Sequence, residues 1–366
     1  MGATQRDVAL RAGVSTRTVS NVVNDYEHIS ADVRRRVLAA IDEVGYRPNR
    51  AARSLRTGRS GLIALAFPEF DVGYFAELAR LVVHEAERRG YTVLVMQTLG
   101  ERGREAALLQ RIDRQLVDGL LFSASACEPA DIENSDTGPV VLLGEHEIPG
   151  IDRVSIDNVA AAGAATRHLI DQGCRRIAFV GRARASRSDM AEQRVDGYDR
   201  ELTAAGLPFR RVVEVDAYHR ANGAAAVAEL LRGTSSSPVD GLLCANDPVA
   251  LGAMHALHQA GLRVPDDVAV VGFDDIDDSA YGLVPLTSVS PDKRQIAELA
   301  VSRLVDRIRG ADDPGRHHQA RFELAVRASS SRTGTGPQAV FQGAGESWAD
   351  SSSASSTQRR RAGEKS

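Results

Sequence analysis

The sequence predicts an α/β protein in which an N-terminal all-α helix-turn-helix domain with a hinge helix precedes a two-lobed domain of parallel sheets. Residues 4–24 contain two short helical segments separated by a glycine turn, which is the pattern of a helix-turn-helix. From residue 61 onward, continuously apolar segments of strand length alternate with helical segments, as in parallel sheets that helices cover on both faces. This alternation continues to residue 328, which is long for a single unit, so we expect two lobes.

The first two helices are defined by their caps and by their apolar faces. Thr4 is the expected cap of the first helix, with Asp7 at the capping-box position, and Gly13 can end that helix in the left-handed conformation. Ser15 is the expected cap of the second helix. The inward faces are formed by Val8, Ala9 and Ala12 of the first helix and by Val19, Val22 and Val23 of the second.

The outer face of the second helix carries residue types that read DNA bases. Arginine pairs with guanine, asparagine pairs with adenine, and a threonine methyl contacts a thymine methyl. We therefore expect Thr16, Arg17 and Asn21 to read base edges, and the alternative is an ordinary helical hairpin. Phosphate positioning or helix capping is expected of Thr4, Ser15, Ser20 and Arg53.

Two further segments complete the N-terminal part. A third helix is predicted over 30–44, capped by Ser30 and ended by Gly45. Residues 46–60 contain five arginines and too little apolar surface for a stable isolated helix, so this segment is predicted to fold only on its target. Leu55 could then act as an apolar wedge between base steps, or it could pack against the next domain.

The distribution of charge favours DNA contact at one end of the chain. The whole chain has a net charge of −4, but residues 1–60 hold eleven arginines, no lysine and six acidic residues, a net charge of +5. Motifs of hydrolases, zinc proteases and phosphate loops are missing from the sequence, so we expect no catalytic residue, no metal site and no cofactor. The polar N-terminus and the lack of a membrane-length apolar run predict a cytoplasmic protein with no membrane partner.

The α/β part is predicted as two series of strands and helices, and a Ser-, Gly- and Arg-rich tail follows it. The tail, residues 329–366, is predicted to be disordered, and it lacks the leucine heptads of a coiled coil. Strands are expected over 61–67, 91–97, 119–123, 139–144, 176–181, 212–216, 240–245 and 268–273, and helices over 74–89, 102–116, 159–172, 194–205, 221–232 and 248–260.

Residues 4–60 resemble the lactose-repressor (LacI/GalR) family of bacterial transcription regulators. The run Arg-Pro-Asn-Arg-Ala-Ala-Arg-Ser-Leu over 47–55 is similar to the hinge helix of that family. The resemblance implies paired hinge helices that bend the operator, with Leu55 as the intercalating residue. The family frequently has arginine at the position of Asn21, so its commonest operator sequence is not assumed.

Residues 61–328 are similar to the sugar-binding, periplasmic-binding-protein-like core of the same family. The resemblance implies two lobes joined by three crossovers, near residues 158, 289 and 320, with the ligand in the cleft between the lobes. The domain bounds are then 1–47 for the helix-turn-helix domain, 48–60 for the hinge, 61–328 for the effector-binding and dimerisation domain, and 329–366 for the tail.

Candidate effector contacts come from strand ends and from family motifs. Asn246 and Asp247 follow a predicted strand, where ligands bind in open α/β sheets. Asp247 precedes Pro248 and is the expected helix cap, which leaves Asn246 as the ligand contact. The resemblance adds Arg194, in Arg-Val-Asp-Gly-Tyr, and Asp274, in Gly-Phe-Asp-Asp.

Three further candidates follow the first strand of this domain. They are Asp71, Tyr74 and Phe75, where the family commonly has an Asn-Pro-aromatic-aromatic run and this chain has Val-Gly before its aromatic pair. One of the two aromatic residues is expected in the core. Asp157 is a weaker candidate, since either it or Asn158 could simply cap the following helix.

These observations predict a DNA-binding transcriptional regulator, in the first place a repressor. A homodimer would bind a palindromic operator, and a small-molecule effector in the cleft would control its affinity. A sugar is the expected effector, and a purine-like corepressor is the alternative. The competing interpretation is a solute-binding or catalytic α/β protein whose N-terminal helices are an interaction module.

Overall fold

The N-terminal domain is a three-helix unit. The computed structural model describes residues 3–23, 26–46, 58–112, 116–184, 189–233 and 238–332. Helices α1 (Gln5–Ala12), α2 (Thr16–Val23) and α3 (Ala31–Val44) confirm the predicted N-terminal helices. The core between them is formed by Val8, Ala9, Ala12, Val19, Val22, Val37, Ala40 and Tyr46.

The predicted caps of these helices are also confirmed. Thr4 Oγ1 accepts from the Asp7 amide while the Asp7 carboxylate accepts from the Thr4 amide, which completes a capping box. Gly13 ends α1 with a φ of 64°, a conformation that favours glycine. Ser15 Oγ accepts from the Thr18 amide at 3.1 Å. The orientation of α2 on α1 is therefore encoded locally, by caps and by a left-handed turn.

The first lobe is built on a six-stranded parallel sheet in the order β11-β5-β4-β3-β1-β2. Its helices lie against this sheet or at its edge, and β1 and β3 are fully apolar because the sheet is covered. The strands are β1 (Leu62–Phe67), β2 (Thr92–Gln97), β3 (Leu120–Phe122), β4 (Val140–Leu143), β5 (Asp152–Ser155) and β11 (His317–Gln319), and the helices are α4 (Gly73–Arg88), α5 (Arg102–Arg111), α6 (Pro129–Glu133) and α12 (Lys293–Ile308).

The second lobe repeats this architecture with the order β12-β10-β9-β8-β6-β7, in which β12 alone is antiparallel to its neighbour among the described strands. The strands are β6 (Ile177–Ala183), β7 (Arg211–Val215), β8 (Gly241–Cys244), β9 (Ala269–Phe273), β10 (Thr287–Pro291) and β12 (Phe322–Ala325), and the helices are α7 (Asn158–Asp171), α8 (Asp189–Ala204), α9 (Arg220–Gly233), α10 (Asp247–Gln259) and α11 (Asp277–Tyr281).

The chain passes between the lobes three times within the described residues. It leaves the first sheet after β5 at residue 155, returns after β10 at residue 291, and crosses again between β11 and β12 at residues 320 and 321. The sequence placed these passages near 158, 289 and 320. Because the carboxyl ends of β1, β3, β4, β6, β8 and β9 adjoin these passages, the loops after these strands lie at the junction of the lobes.

Several elements were not predicted from the sequence. Helix α12, the short helices α6 and α11, and the strands β5, β10, β11 and β12 are all additional to the expected series. The expected start of the tail at residue 329 is wrong, because Ser329 and Ser330 are fully buried. Ser329 Oγ donates to the Val270 carbonyl at 2.6 Å, so the second lobe continues to residue 332, the last described residue.

Two predictions fall outside what the structure describes. Arg53 and Leu55 of the predicted hinge helix lie in 47–57, and the tail from residue 333 onward is likewise outside the described ranges. Within those ranges, no helix is long and apolar enough to cross a membrane.

Candidate functional site

A cavity of about 410 Å³ lies between the two lobes. Its walls are the loops after the parallel strands of both sheets, which is where ligands bind in open α/β folds. The predicted candidates Tyr74, Phe75, Arg194, Asn246 and Asp274 all line this cavity. The tertiary fold therefore brings together five of the seven candidate effector residues from separate parts of the sequence.

Arg194 is held rigidly by contacts on three sides. It lies on α8 and is 5% exposed. Its Nε donates to Asn158 Oδ1 at 2.7 Å, its Nη1 donates to the Ala245 carbonyl, and its Nη2 lies 3.7 Å from an Asp274 carboxylate oxygen. The guanidinium stacks over the Phe273 ring, 3.5 Å from the ring centre. Two of its nitrogens thus donate to protein acceptors, and its position is set before any ligand binds.

Asp274 occupies a strained turn directly after β9. Its φ is 99°, in the region that favours glycine, and its amide donates to the Val289 carbonyl at 2.9 Å. Burial raises the pKa of the Asp274 carboxyl, because its desolvation outweighs the attraction of the Arg194 and Lys293 cations. The loop therefore holds a carboxylate against the cavity at a cost in backbone and solvation energy, as expected of a binding residue rather than a packing one.

Glu145 is a cavity residue that the sequence analysis missed. It follows β4 in the first lobe, and its Oε1 accepts from Asn158 Nδ2 at 2.6 Å. Asn158 also accepts from Arg194, so it connects the acid of one lobe to the arginine of the other. Glu145 directly follows Gly144 at the end of the apolar strand predicted over 139–144. This position at a strand end is the signal that could have identified Glu145 from the sequence.

The aromatic pair begins α4 beside this polar cluster. Phe75 stacks on Phe67 with ring centres 5.3 Å apart and nearly parallel planes, so it joins the core of the first lobe as well as the cavity wall. Burial and the carboxylates of Asp274 and Glu145 raise the pKa of the Tyr74 phenol. Tyr74 therefore remains a neutral hydroxyl that faces two acids.

Two of the candidate effector residues, Asp71 and Asp157, do not line the cavity. Asp71 is exposed and does not line the cavity. Asp157 caps α7 by accepting from the Ala160 amide at 2.9 Å, and it does not line the cavity either. The helix cap is therefore the role that the structure shows for Asp157.

The helix cap that was predicted at Asp247 is provided by Asn246 instead. Asn246 lines the cavity but is itself the cap of α10, accepting from the Val249 amide at 2.9 Å. Asp247 is fully buried and accepts from the Ser288 hydroxyl, the Ser279 hydroxyl and the Ile276 amide. Burial outweighs these hydrogen bonds and raises the pKa of Asp247 to about 7.

Polar contacts join the lobes around the rim of the cavity. His146 of the first lobe lies 3.1 Å from an Asp189 carboxylate oxygen of the second, and Glu69 of the first lobe lies 3.3 Å from His219 Nε2 of the second. No group of three or more His, Cys, Asp or Glu in the described ranges could hold a metal ion. The site is therefore a polar, closed cleft without a built metal centre in the described chain.

The outer face of α2 presents the predicted base-reading residues. Thr16 and Arg17 are exposed and Asn21 is half-buried, while Val19 and Val22 face the core. This separation leaves one face of the helix available to a groove of DNA. The predicted phosphate-positioning residues lie nearby: Thr4 and Ser15 act as caps, and Ser20 is half-buried.

Comparison with known proteins gives two matching sequence profiles. The profile described as "Bacterial regulatory proteins, lacI family" matches residues 4–49, and that described as "Periplasmic binding protein-like domain" matches residues 166–330. The HTH-type transcriptional repressor PurR of Aliivibrio fischeri (strain MJ11) is 33% identical over 336 residues, 89% of this chain and 98% of the relative. The ribose operon repressor of Escherichia coli (strain K12) is 33% identical over 312 residues, 84% of this chain and 93% of the relative.

Solved structures of transcriptional regulators are also similar to this chain over most of its length. The lac repressor dimer bound to operator and the anti-inducer ONPF is 28% identical, with a TM-score of 0.77 over 90% of this chain and 99% of that one. The transcriptional regulator CelR in complex with cellobiose is 30% identical, with a TM-score of 0.65 over 89% of this chain and 99% of that one. Both similarities extend over the helical domain and the two lobes together.

Proposed function

This chain belongs to the lacI family of bacterial regulatory proteins and is a DNA-binding transcriptional repressor with an effector-binding domain, and we propose that it acts as a homodimer on a palindromic operator. The observation that carries the effector side of this proposal is the preformed polar cluster of Arg194, Asp274 and Glu145 between the lobes. The cluster requires neither a metal nor a reactive nucleophile, so the cleft binds its ligand without catalysis. Operator binding assigns the protein to the bacterial cytoplasm.

The effector is a sugar in this proposal. Fixed carboxylates, an asparagine and a guanidinium suit the hydroxyl groups of a sugar, and the aromatic pair Tyr74 and Phe75 offers apolar contact to one face of a ring. Relatives named for ribose and a structure with cellobiose support this class. A purine-like corepressor is the second candidate, supported by the relatives named PurR and by the same aromatic pair.

Control of DNA binding follows from linkage between the cleft and the hinge. A ligand that favours one relative position of the lobes changes the spacing of the two hinge segments across the dimer axis. Operator affinity then changes by the same factor as ligand affinity changes on DNA. The three passages of the chain between the lobes make such a movement a rigid-body one.

On the operator, the exposed face of α2 enters the major groove. Thr16, Arg17 and Asn21 read base edges there. Thr4, Ser15, Ser20 and Arg53 position the phosphates or cap helices, and Leu55 is the wedge at the centre of the site.

The test is selection of bound duplexes from a random pool with the full-length protein, with and without candidate sugars and nucleobases. A palindrome with a flexible pyrimidine–purine step at its centre is expected, and the effector should change its enrichment. Enrichment of an asymmetric site would contradict binding of a palindromic operator by a dimer. The same holds if DNA is bound in every ligand condition but no site is enriched.

A further inference from the structure

Acidic groups dominate the cavity between the lobes. Among the lining residues that the structure describes, Arg194 is the single arginine or lysine, and His146 is the single histidine. The carboxylates among the same lining residues are Glu69, Glu145, Asp189, Asp216 and Asp274. Among the described lining residues, a ligand that enters this cavity therefore meets many hydrogen-bond acceptors and few positive charges.

The acids at the rim have basic partners of their own. Glu69 is paired with His219, Asp189 with His146, and Asp216 with Arg184 at 3.0 Å. These pairs are partly or largely exposed, so solvent screens them. They contribute little to the electrostatic selectivity of the site.

The other two acids, Asp274 and Glu145, differ because both are connected to the buried side chain of Arg194. Asp274 lies 3.7 Å from Arg194 Nη2, and Glu145 reaches the arginine only through the amide of Asn158. Glu145 also contributes to the raised pKa of Asp274, after the larger effect of burial. Lys293 contributes from behind the loop, where its ammonium donates to Glu77 and to a backbone carbonyl.

Part of the hydrogen-bonding capacity of Arg194 is already committed to the protein. Its Nε and Nη1 donate to Asn158 and to the Ala245 carbonyl, and its flat face is covered by Phe273. Because Nε is engaged, an incoming phosphate could not receive the side-on pair of hydrogen bonds from Nε and Nη2 by which a free arginine fork binds phosphate. The same phosphate would lie against carboxylates that can only accept hydrogen bonds while ionised.

We propose that this cleft selects an uncharged effector rich in hydrogen-bond donors and rejects the phosphorylated form of the same compound, with Glu145 as the discriminating residue. The proposal rests on the proposed function, because it concerns the effector of the same cleft. Hydroxyl or amino groups of the ligand donate to Glu145 and Asp274, whereas a phosphate places its negative charge next to these carboxylates.

This selectivity assigns the effector a position in metabolism. The repressor responds to the free compound, which is the substrate of a kinase or the product of a hydrolase. The phosphorylated product of that kinase does not occupy the cleft. The regulator therefore measures supply of the compound before it is phosphorylated.

The experiment uses matched pairs of ligands with the full-length protein. Each pair is a neutral compound and its phosphate: ribose and ribose 5-phosphate, glucose and glucose 6-phosphate, and adenosine and AMP. Thermal unfolding ranks the pairs, and calorimetry gives affinities for those that shift the melting temperature. For any compound that binds, we expect the phosphate to bind at least about a hundredfold more weakly, because juxtaposed like charges oppose it.

Glu145→Gln tests the assigned residue, and Glu147→Gln is its matched control. The glutamine keeps an oxygen that can accept from Asn158, whereas Glu147 is an exposed neighbour whose side chain does not line the cavity. Glu145→Gln should reduce the neutral-to-phosphate affinity ratio by at least about tenfold, which corresponds to about 1.4 kcal/mol. Glu147→Gln should leave the ratio unchanged.

The outcomes separate this inference from the proposed function. A phosphate that binds as tightly as its neutral parent overturns the inference while leaving an effector cleft in place. An unchanged ratio in Glu145→Gln overturns the assignment to Glu145. If no compound of either kind binds, the effector function of the cleft itself is contradicted, and the inference is overturned with it.

Discussion

Replacement of Arg194 by methionine should destabilise the protein strongly. The methionine keeps an apolar stem over Phe273 but removes the donors to Asn158 and to the Ala245 carbonyl. Both acceptors belong to fully buried residues, and each buried polar group left without a partner costs about 1–3 kcal/mol. Asp274 also loses its guanidinium partner at a site where it is 8% exposed.

The expected total loss is about 3–5 kcal/mol, the range for removing one partner of a buried ion pair. The sum of the separate interactions would be larger, but Asp274 can take up a proton. Its pKa is already raised by burial, and without Arg194 the pKa would rise further. The destabilisation should therefore be greater at pH 8 than at pH 5.5, because the unpaired carboxyl must then remain ionised.

The assay is urea unfolding of the full-length protein, followed by circular dichroism. Arg200→Met is the matched control, because Arg200 lies on the same helix and pairs with Asp196 in an exposed position, with side chains 68% and 61% exposed. Its cost should be about 0–1 kcal/mol. Arg194→Met combined with Asp274→Asn should be less destabilised than the two single variants predict together.

Two results would refute this reasoning. Equal urea midpoints for Arg194→Met and Arg200→Met would show that the buried arginine is not paired as the structure has it. Additive effects of Arg194→Met and Asp274→Asn would show that the arginine and the acid do not interact.

Three further predictions concern packing, pH and DNA. Gly252→Ala places a methyl group onto the Arg220 carbonyl where α9 and α10 cross, and it should lower the free energy of unfolding by about 1–3 kcal/mol, or more if the helices cannot separate. Gly103→Ala, on α5 with open space around it, should raise the free energy of unfolding by about 0.5–1 kcal/mol in the same denaturation assay. The pKa of Asp247 is about 7 in the folded chain and near 3.8 in the unfolded chain, so between these values the folded state holds a proton that the unfolded state has lost. The free energy of unfolding should therefore fall as the pH rises from 4 to 7. Asp247→Asn should flatten that slope. Arg17→Ala should weaken operator binding by about 1–3 kcal/mol and relax specificity at one base pair in each half-site, as measured by repeating the duplex selection.

Each of these three predictions has an outcome that contradicts it. Equal stabilities of the two alanine variants would mean that α9 and α10 do not approach as closely as described. A pH slope that persists in Asp247→Asn would assign the proton uptake to another group. Uniform weakening on all DNA sequences would make Arg17 a phosphate contact rather than a base-reading residue.

The sequence predicted the N-terminal helices well because their determinants are local. The capping residues act within three or four residues of the backbone groups that they satisfy, as do Thr4 with Asp7, Gly13 and Ser30. Their roles can therefore be predicted without knowledge of the fold. Most of the buried strands were predicted as continuous apolar runs, but β5 and β10 were not, because polar residues interrupt their sequences. Helix α12 was overlooked although its apolar residues recur at helical spacing, because the prediction stopped at the last clear strand.

The roles of some cleft residues could not be predicted from the local sequence. Asn246 and Asp247 are neighbours at one strand end, and either side chain can cap a helix. The structure gives the cap to Asn246, because Asp247 is drawn into the core by hydroxyl groups of Ser279 and Ser288 on distant segments. The sequence around residue 247 contains no pattern that predicts Ser279 and Ser288 as its partners.

By itself the sequence determined the class of fold, the three caps, the family resemblance and five of the residues that line the cavity. Tertiary structure alone decided that Glu145 faces Asn158 and Arg194 across the lobes, and that one buried guanidinium serves two acids. The physical reason is range: capping and periodicity act over a few residues, whereas the charge balance of a cleft is the sum over side chains from segments as far apart in the sequence as Glu69 and Asp274.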